Sequence, residues 1–219
     1  MILTFDIETL PCIDADLIER LKGTIKPPAT FKKQESIEKW FAENLGAEIE
    51  SVISKTSLDG AYGRIACIGF AYNDNDVLCT DHDQSEAETI QEFYEYLSDL
   101  PANTIFCGHY ITGFDLPFLK HRSIINGIEP PACLLKAMNA KPWDDCIADT
   151  KLMWSQDKNR QLSLDTLCFV LGIDGKGDFD GSKVAETWLK DPLKVIEYCK
   201  NDVRITREVY KRLTFKNPF

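Results

Sequence analysis

No stretch of this 219-residue chain approaches the ~20 consecutive apolar residues that a membrane-spanning helix needs. The apolar start, Met1 to Phe5, follows no basic leader, so a secretory signal is not expected. None of the eight cysteines stands in a C-x-x-C pair. Positions 12, 67, 79, 107, 133, 146, 168 and 199 are scattered, mostly in apolar segments. They predict reduced, buried thiols in a cytoplasmic protein, not a disulfide or zinc framework. Positive charge is short as well: 25 Lys and Arg against 35 Asp and Glu give a formal charge of −10. That argues against a protein that coats nucleic acid by bulk electrostatics. It leaves open an enzyme that meets phosphates through bound cations, because such ions locally reverse the sign of an acidic site. His82, His109 and His121 show no ligand spacing and are expected to be structural or at the surface. Internal repeats and low-complexity segments are absent. What remains is 44% hydrophobic residues, an ordinary globular composition, expected to fold as one domain over 1–219.

Along the chain, Met1 to Phe5 reads as a buried strand running into Asp6, Ile7, Glu8 and Thr9. Residues 10–60 have the character of an insertion. Pro11 breaks the strand, Lys26-Pro27-Pro28 marks a loop, and Ser36 to Leu45 has helical periodicity with Gly46 as its stop. Lys22, Lys26, Lys32 and Lys33 make its first half basic, either as a solvated surface or as a contact for a polyanion. Arg64 to Tyr72 is a second buried strand, and Val77 to Thr80 returns antiparallel after the turn at 73–76. Ser85 and Glu88 form a capping box for a helix reaching about Leu100. A strand at Thr104 to Cys107, a helix over 114–126, a loop and a short strand near Cys146 to Ala148 follow. The last third is helical: Ser163 to Gly172, Ser182 to Lys190, and a final helix from Pro192 to about Leu213. Strands that alternate with helices predict an α/β fold with a mixed sheet.

Side chains alternate along a strand, so Asp6 and Glu8 emerge on one face while Phe5 and Ile7 take the other. Two like charges at the end of a buried strand repel, and a divalent cation with a taste for oxygen, Mg²⁺ or Mn²⁺, would relieve them. A strand end opening into solvent, with both acids hydrated, fits those residues too. In the final helix Tyr198 and Asp202 stand at i and i+4, on the same side as Val195, Cys199, Thr206, Val209 and Leu213. A carboxylate and a phenol therefore lie in the stripe that should face the core, where an unpaired acid is costly. Lys200, Arg204, Arg207 and Lys211 fall opposite and read as a solvated face. Asp115, between Phe114 and Leu116 at a helix start, is by itself an ordinary cap. Gly172 to Gly181 is glycine-rich but follows a helix, so it is no dinucleotide loop. Its Asp174, Asp178 and Asp180 miss the calcium-loop spacing, and a flexible loop near the site is the better reading.

Phe5-Asp6-Ile7-Glu8-Thr9, then Phe114-Asp115-Leu116-Pro117-Phe118-Leu119, then Tyr198-Cys199-Lys200-Asn201-Asp202 occur in that order. Together they resemble the three exonuclease motifs of the DEDD (DnaQ-like) superfamily. The Tyr four residues before the last Asp places the resemblance in its tyrosine branch, DEDDy; the histidine branch would need His where Glu197 stands. The first two motifs are most similar to the proofreading exonuclease domain of family B DNA polymerases, and the whole chain to a stand-alone family related to it. Gly63-Arg64-Ile65 and Gly181-Ser182-x-Val184 add to the likeness.

The resemblance implies a ribonuclease H-like fold and a metal-dependent 3′-5′ exonuclease. Asp6, Glu8, Asp115 and Asp202 would bind two divalent ions, Mg²⁺ or Mn²⁺, about 4 Å apart. Tyr198 would orient the attacking water; a phenol's ordinary pKa of about 10 makes it a poor general base. Thr9, Leu10, Tyr110 and Phe114 are candidates for contacts with the terminal nucleotides, the rings by stacking. Tyr110 departs from the family, which usually carries Asn there, and this bears on how the last nucleotide is positioned. The expected partners are single-stranded DNA or nucleic-acid 3′ ends, and a replication or repair protein. No membrane is among them, and no polymerase module follows residue 219. The alternatives are a ribonuclease D-like exoribonuclease, and a non-catalytic nucleic-acid or protein-binding module on the same fold; the retained carboxylates and Tyr198 argue against the last.

Overall fold

The computed structural model describes residues 1–155, 161–175, 177 and 179–216. Five strands form one mixed sheet: β1 (Ile2–Leu10), β2 (Arg64–Tyr72), β3 (Leu78–Cys79), β4 (Ile105–Gly108) and β5 (Ile147–Asp149). Their spatial order is β3-β2-β1-β4-β5. β1 pairs antiparallel with β2 and parallel with β4, and β4 pairs parallel with β5. This is the α/β, ribonuclease H-like arrangement expected from the sequence. No described helix is long and apolar enough to cross a membrane.

The alternation along β1 splits the sheet into two covered faces. Leu3, Phe5 and Ile7 enter the main core with Ile68 and Phe70 of β2, against α3 (Glu86–Leu97), α4 (Asp115–Asn126) and α5 (Ala132–Met138). The other face carries Cys67 with Val195, Tyr198 and Cys199 of α9 (Pro192–Leu213) and Val184 of α8 (Val184–Lys190). The parallel ladder between β1 and β4 ends at Thr4↔Cys107. Beyond it the two strands diverge, and the Ile7 N–H is taken by Asp115 Oδ1 at 3.2 Å instead of by a strand. Opposite, the β1–β2 register shifts between Glu8↔Cys67 and Thr9↔Ile65. Such irregularities bend a strand and re-aim its side chains. Both features fall where Asp6 and Glu8 leave the sheet.

The 10–60 segment holds α1 (Ala15–Lys22) and α2 (Gln34–Lys55), neither of which has a fully buried residue. The short helix expected to stop at Gly46 runs straight through it. A Cβ there would meet nothing within 4 Å, so the glycine costs only its intrinsic ~1 kcal/mol, which Ala42, Leu45, Ala47 and Glu48 outweigh. The segment is tied down at its far end. Thr9 Oγ1 donates to Ser57 O at 2.7 Å, and Thr56 Oγ1 accepts the Cys12 N–H at 2.8 Å. Three further expectations need adjusting. Residues 132–138, read as loop, form α5, because Cys133, Leu134, Ala137 and Met138 bury one side of a helix too short to show a period. The capping box of α3 is present, but the helix ends at Leu97. And Arg207 and Lys211 are not merely solvated: Arg207 Nη1 donates to Asn75 O at 2.6 Å and Lys211 pairs with Asp74 at 2.6 Å, so α9 grips the β2–β3 turn.

Candidate active site

Three elements carry the acidic residues to one place. β1 delivers Asp6 and Glu8, α4 delivers Asp115 in its first turn, and α9 lays Tyr198 and Asp202 across the sheet. The stripe inferred for α9 is buried except at Leu213, which is half-buried, with Asp202 only 3% exposed and Tyr198 9%. Carboxylate oxygens of Asp6 and Glu8 and the Cys199 Sγ lie within 4.8 Å of one another. Asp115 is 3% exposed, and burial pushes its carboxyl up to about 7, with Asp149 and Asp202 adding to the rise and the N–H groups of Ile7 and Asp115 itself pulling the other way. A buried acid held that high beside other acids is a poor resting arrangement for charge and a good one for a divalent cation. The donors are carboxylate oxygens, the set that hard cations prefer.

The approach of α9 depends on a glycine. Gly69 faces Asp6 across the β1–β2 ladder. A Cβ added there would stand 2.9 Å from Cys199 Sγ and 3.2 Å from Val203 Cγ2. The helix bearing Tyr198 and Asp202 seats on bare backbone. Gly69→Ala should lift α9 by a few tenths of an ångström and destabilise the protein by about 1–3 kcal/mol. Adding Cys199→Ala should recover part of the stability in thermal melts; a Gly69→Ala chain as stable as wild type would mean the seam is slack.

Two hollows meet at Gly181. One, of about 500 Å³, is lined by Asp6, Tyr198 and Asp202 together with His109, Lys151 and Phe179. The Phe179 ring packs on Tyr198 with centroids 4.5 Å apart, and the Tyr198 hydroxyl lies 3.4 Å from where a Gly181 Cβ would stand. The glycine-rich run thus borders the site through Gly177, Phe179, Asp180 and Gly181; Lys176 and Asp178 lie outside the described residues. The second hollow, about 380 Å³, holds Glu8, Thr9 and Phe114, with Lys55 and Leu58 contributed by the 10–60 segment. Of the candidate substrate contacts, Thr9 and Phe114 are therefore at a cavity. Leu10 is not: at 3% exposure it packs with Ala66, Val184, Val195 and Tyr198, so it belongs to the core.

Tyr110 is 39% exposed near the rim of the first hollow, its ring between Gly113 and the Lys151 ammonium, which sits 4.2 Å from the centroid. Its φ is +69°, in the left-handed region that Asn tolerates far better than an aromatic residue. This backbone fits the Asn usual in the resembling domains. It persists with Tyr because Asp149, which sequence reading passed over, holds the loop. Asp149 is 1% exposed and accepts from Tyr110 N at 3.1 Å, Thr112 N at 3.1 Å and Thr112 Oγ1 at 2.6 Å. Among the histidines, His109 is structural as expected, bonding Thr150 Oγ1 at 3.0 Å and Leu162 O at 3.2 Å, yet it also lines the first hollow.

Compared with known proteins, residues 61–217 match a family described as predicted 3′-5′ exonucleases related to the exonuclease domain of PolB. Among solved structures, the family B DNA polymerase from the hyperthermophilic archaeon Pyrobaculum calidifontis shares the fold, with a TM-score of 0.57 over 98% of this chain at 16% identity. This chain spans 24% of that polymerase. No curated protein sequence matches.

Proposed function

Because this chain belongs to the family of predicted 3′-5′ exonucleases related to the exonuclease domain of PolB, we propose that its acidic cleft removes nucleotides from the 3′ end of single-stranded DNA. Water attacks the terminal phosphodiester, the bond to the 3′ oxygen breaks, and a nucleoside 5′-monophosphate leaves. The observation that carries this reading is that Asp6, Tyr198 and Asp202 line one cleft, with Glu8 beside Asp6 and the buried Asp115 held against β1 through the Ile7 N–H. Asp6, Glu8, Asp115 and Asp202 would hold two divalent cations, Mg²⁺ or Mn²⁺, which when bound would make hydroxide available near neutral pH and stabilise the leaving oxygen.

The chain's own residues supply the rest. The Tyr198 hydroxyl hydrogen-bonds and orients the attacking water. Phe179, packed on the Tyr198 ring, restricts that ring. The hollow beside Glu8 receives the terminal nucleotide, with Thr9 and Phe114 on its wall and Lys55 beside its phosphate. The exposed edge of Tyr110 borders the next base, and Lys151 over its ring offsets the cleft's negative charge.

The test is a time course on oligonucleotides labelled at the 3′ or 5′ end, DNA and RNA in parallel, with Mg²⁺, Mn²⁺ or EDTA. A metal-dependent ladder shortening from the 3′ end of single-stranded DNA is expected. Preference for RNA would replace the substrate assigned here, and silence with every metal and substrate would leave a binding module. Tyr198→Phe should lower kcat by about 10–10²-fold with little change in KM, the worth of one hydrogen bond to a charged group. An unaltered kcat would remove the hydroxyl from the reaction.

A further inference from the structure

Directly behind the carboxylates lies a second cluster of ligating atoms. Cys67 of β2, Cys79 of β3 and Cys199 of α9 place their sulfurs within 4.8 Å of one another. Cys67 and Cys199 are fully buried, while Cys79 is half-buried and opens the cluster toward solvent. No segment brings the three together in sequence. The β2–β3 ladder aligns the first two, since Cys79 pairs with Gly69 two residues beyond Cys67. The bare Gly69 then lets Cys199 descend onto the sheet. The same Cys199 Sγ donates to Asp6 O at 3.6 Å and stands 3.9 Å from Asp6 Oδ2.

We propose that Cys67, Cys79 and Cys199 form a site for one thiophilic d¹⁰ cation, such as Zn²⁺, whose occupancy inhibits the adjoining acidic centre. Soft thiolates select Zn²⁺ and its like over Mg²⁺, which takes oxygen, so the two clusters sort cations by hardness across their shared border. At a metal–sulfur distance of about 2.3 Å, sulfurs around a tetrahedral ion lie about 3.8 Å apart, a contraction of at most about 1 Å from the present spacing. Three S–H groups pass their protons to solvent, three metal–sulfur bonds form, and no electron changes hands. The fourth position stays open on the Cys79 side. Three thiolates outweigh the dication by one charge, so the inhibition is geometric: Cys199 is drawn from the Asp6 carbonyl toward the new ion, carrying its neighbour Tyr198.

The inhibitory half rests on the proposed nuclease reading; the binding half does not, and the experiment separates them. The reduced full-length protein is titrated with Cd²⁺ and the ultraviolet thiolate-to-cadmium band is followed. One equivalent per chain is expected to saturate it, with affinity at least roughly tenfold weaker in Cys79→Ser and in Cys67→Ser, and unchanged in Cys146→Ser. No band, or a band equally strong in Cys79→Ser, overturns the site. In parallel, buffered Zn²⁺ is added to the Mg²⁺-supported nuclease assay and the ratio of rates with and without Zn²⁺ is compared. A ratio at least about tenfold smaller for wild type than for Cys79→Ser supports the inhibition. Equal ratios overturn it, because Zn²⁺ would then act at the carboxylates alone.

Discussion

Asp6→Ala is expected to slow nucleotide release by at least about 10³-fold, the scale of the several kcal/mol that a bound cation contributes to charge stabilisation. The reason is placement. Asp6 touches Cys199 of α9 where the helix crosses β1, and it borders the hollow that also holds Tyr198 and Asp202. The same substitution removes one of several mutually repelling acids, so the apo protein should remain folded. A second readout needs no substrate. The native chain should gain thermal stability with Mg²⁺ or Mn²⁺, by about 2.7 kcal/mol at a hundredfold excess over the dissociation constant, and the variant should gain much less. Retained cleavage together with retained stabilisation by metal would remove the acidic cluster from the chemistry.

Arg122→Met carries the largest expected loss of stability. Arg122 Nε and Nη2 reach both oxygens of Glu86 at 2.8 and 2.7 Å, with the two side chains only 12% and 13% exposed. Glu86 also accepts from Ile65 N at 2.7 Å and Asn126 Nδ2 at 3.1 Å, and Arg122 donates to Gly60 O at 3.3 Å. One ion pair thus joins α3, α4, β2 and the end of the 10–60 segment. Removing the cation strands a buried carboxylate, at a cost of roughly 3–5 kcal/mol. For a chain of this size that lowers the thermal midpoint by about 6–20 °C. Glu86→Gln in the same chain should restore a substantial part, since the amide oxygen can still accept from Ile65. A single variant within about 1 kcal/mol of wild type would show that the carboxylate is hydrated after all.

These two sites differ in how far the sequence announced them. Asp6, Glu8, Tyr198 and Asp202 were legible because regular spacing puts each pair on one face, and burial then makes paired acids conspicuous. Asp115 needed its neighbours, since an acid in the first turn of a helix is otherwise unremarked. Asp149 was not legible. It ends a three-residue strand and acts on a loop 39 positions earlier. Arg122 and Glu86 meet across 36 positions, and Glu86 stood beside Ser85 and Glu88, where the capping box explained the local acids already. Leu10 was drawn toward the substrate by its place after the first motif, whereas Val184, Val195 and Tyr198 of α8 and α9 cover it on the acids' side of the sheet. The cationic stripe of α9 read as solvated because nothing local marks the turn it holds. Pattern reaches what a single element dictates, and long-range partners set by topology escape it.

The seat of α9 on Gly69 also bears on folding. The contact between Cys199 and Asp6 closes a loop of 193 positions, the kind of pairing that forms late because chain entropy opposes it until the intervening sheet exists. The placement of Tyr198 and Asp202 over the sheet is therefore expected to form late and to be lost early. A partial opening that frees α9 takes Tyr198 and Asp202 away together and leaves β1, β2 and the aromatic core beneath them standing. In a denaturant series, activity should fade before the signal of the sheet, and coincident loss of both would make helix and sheet one cooperative unit.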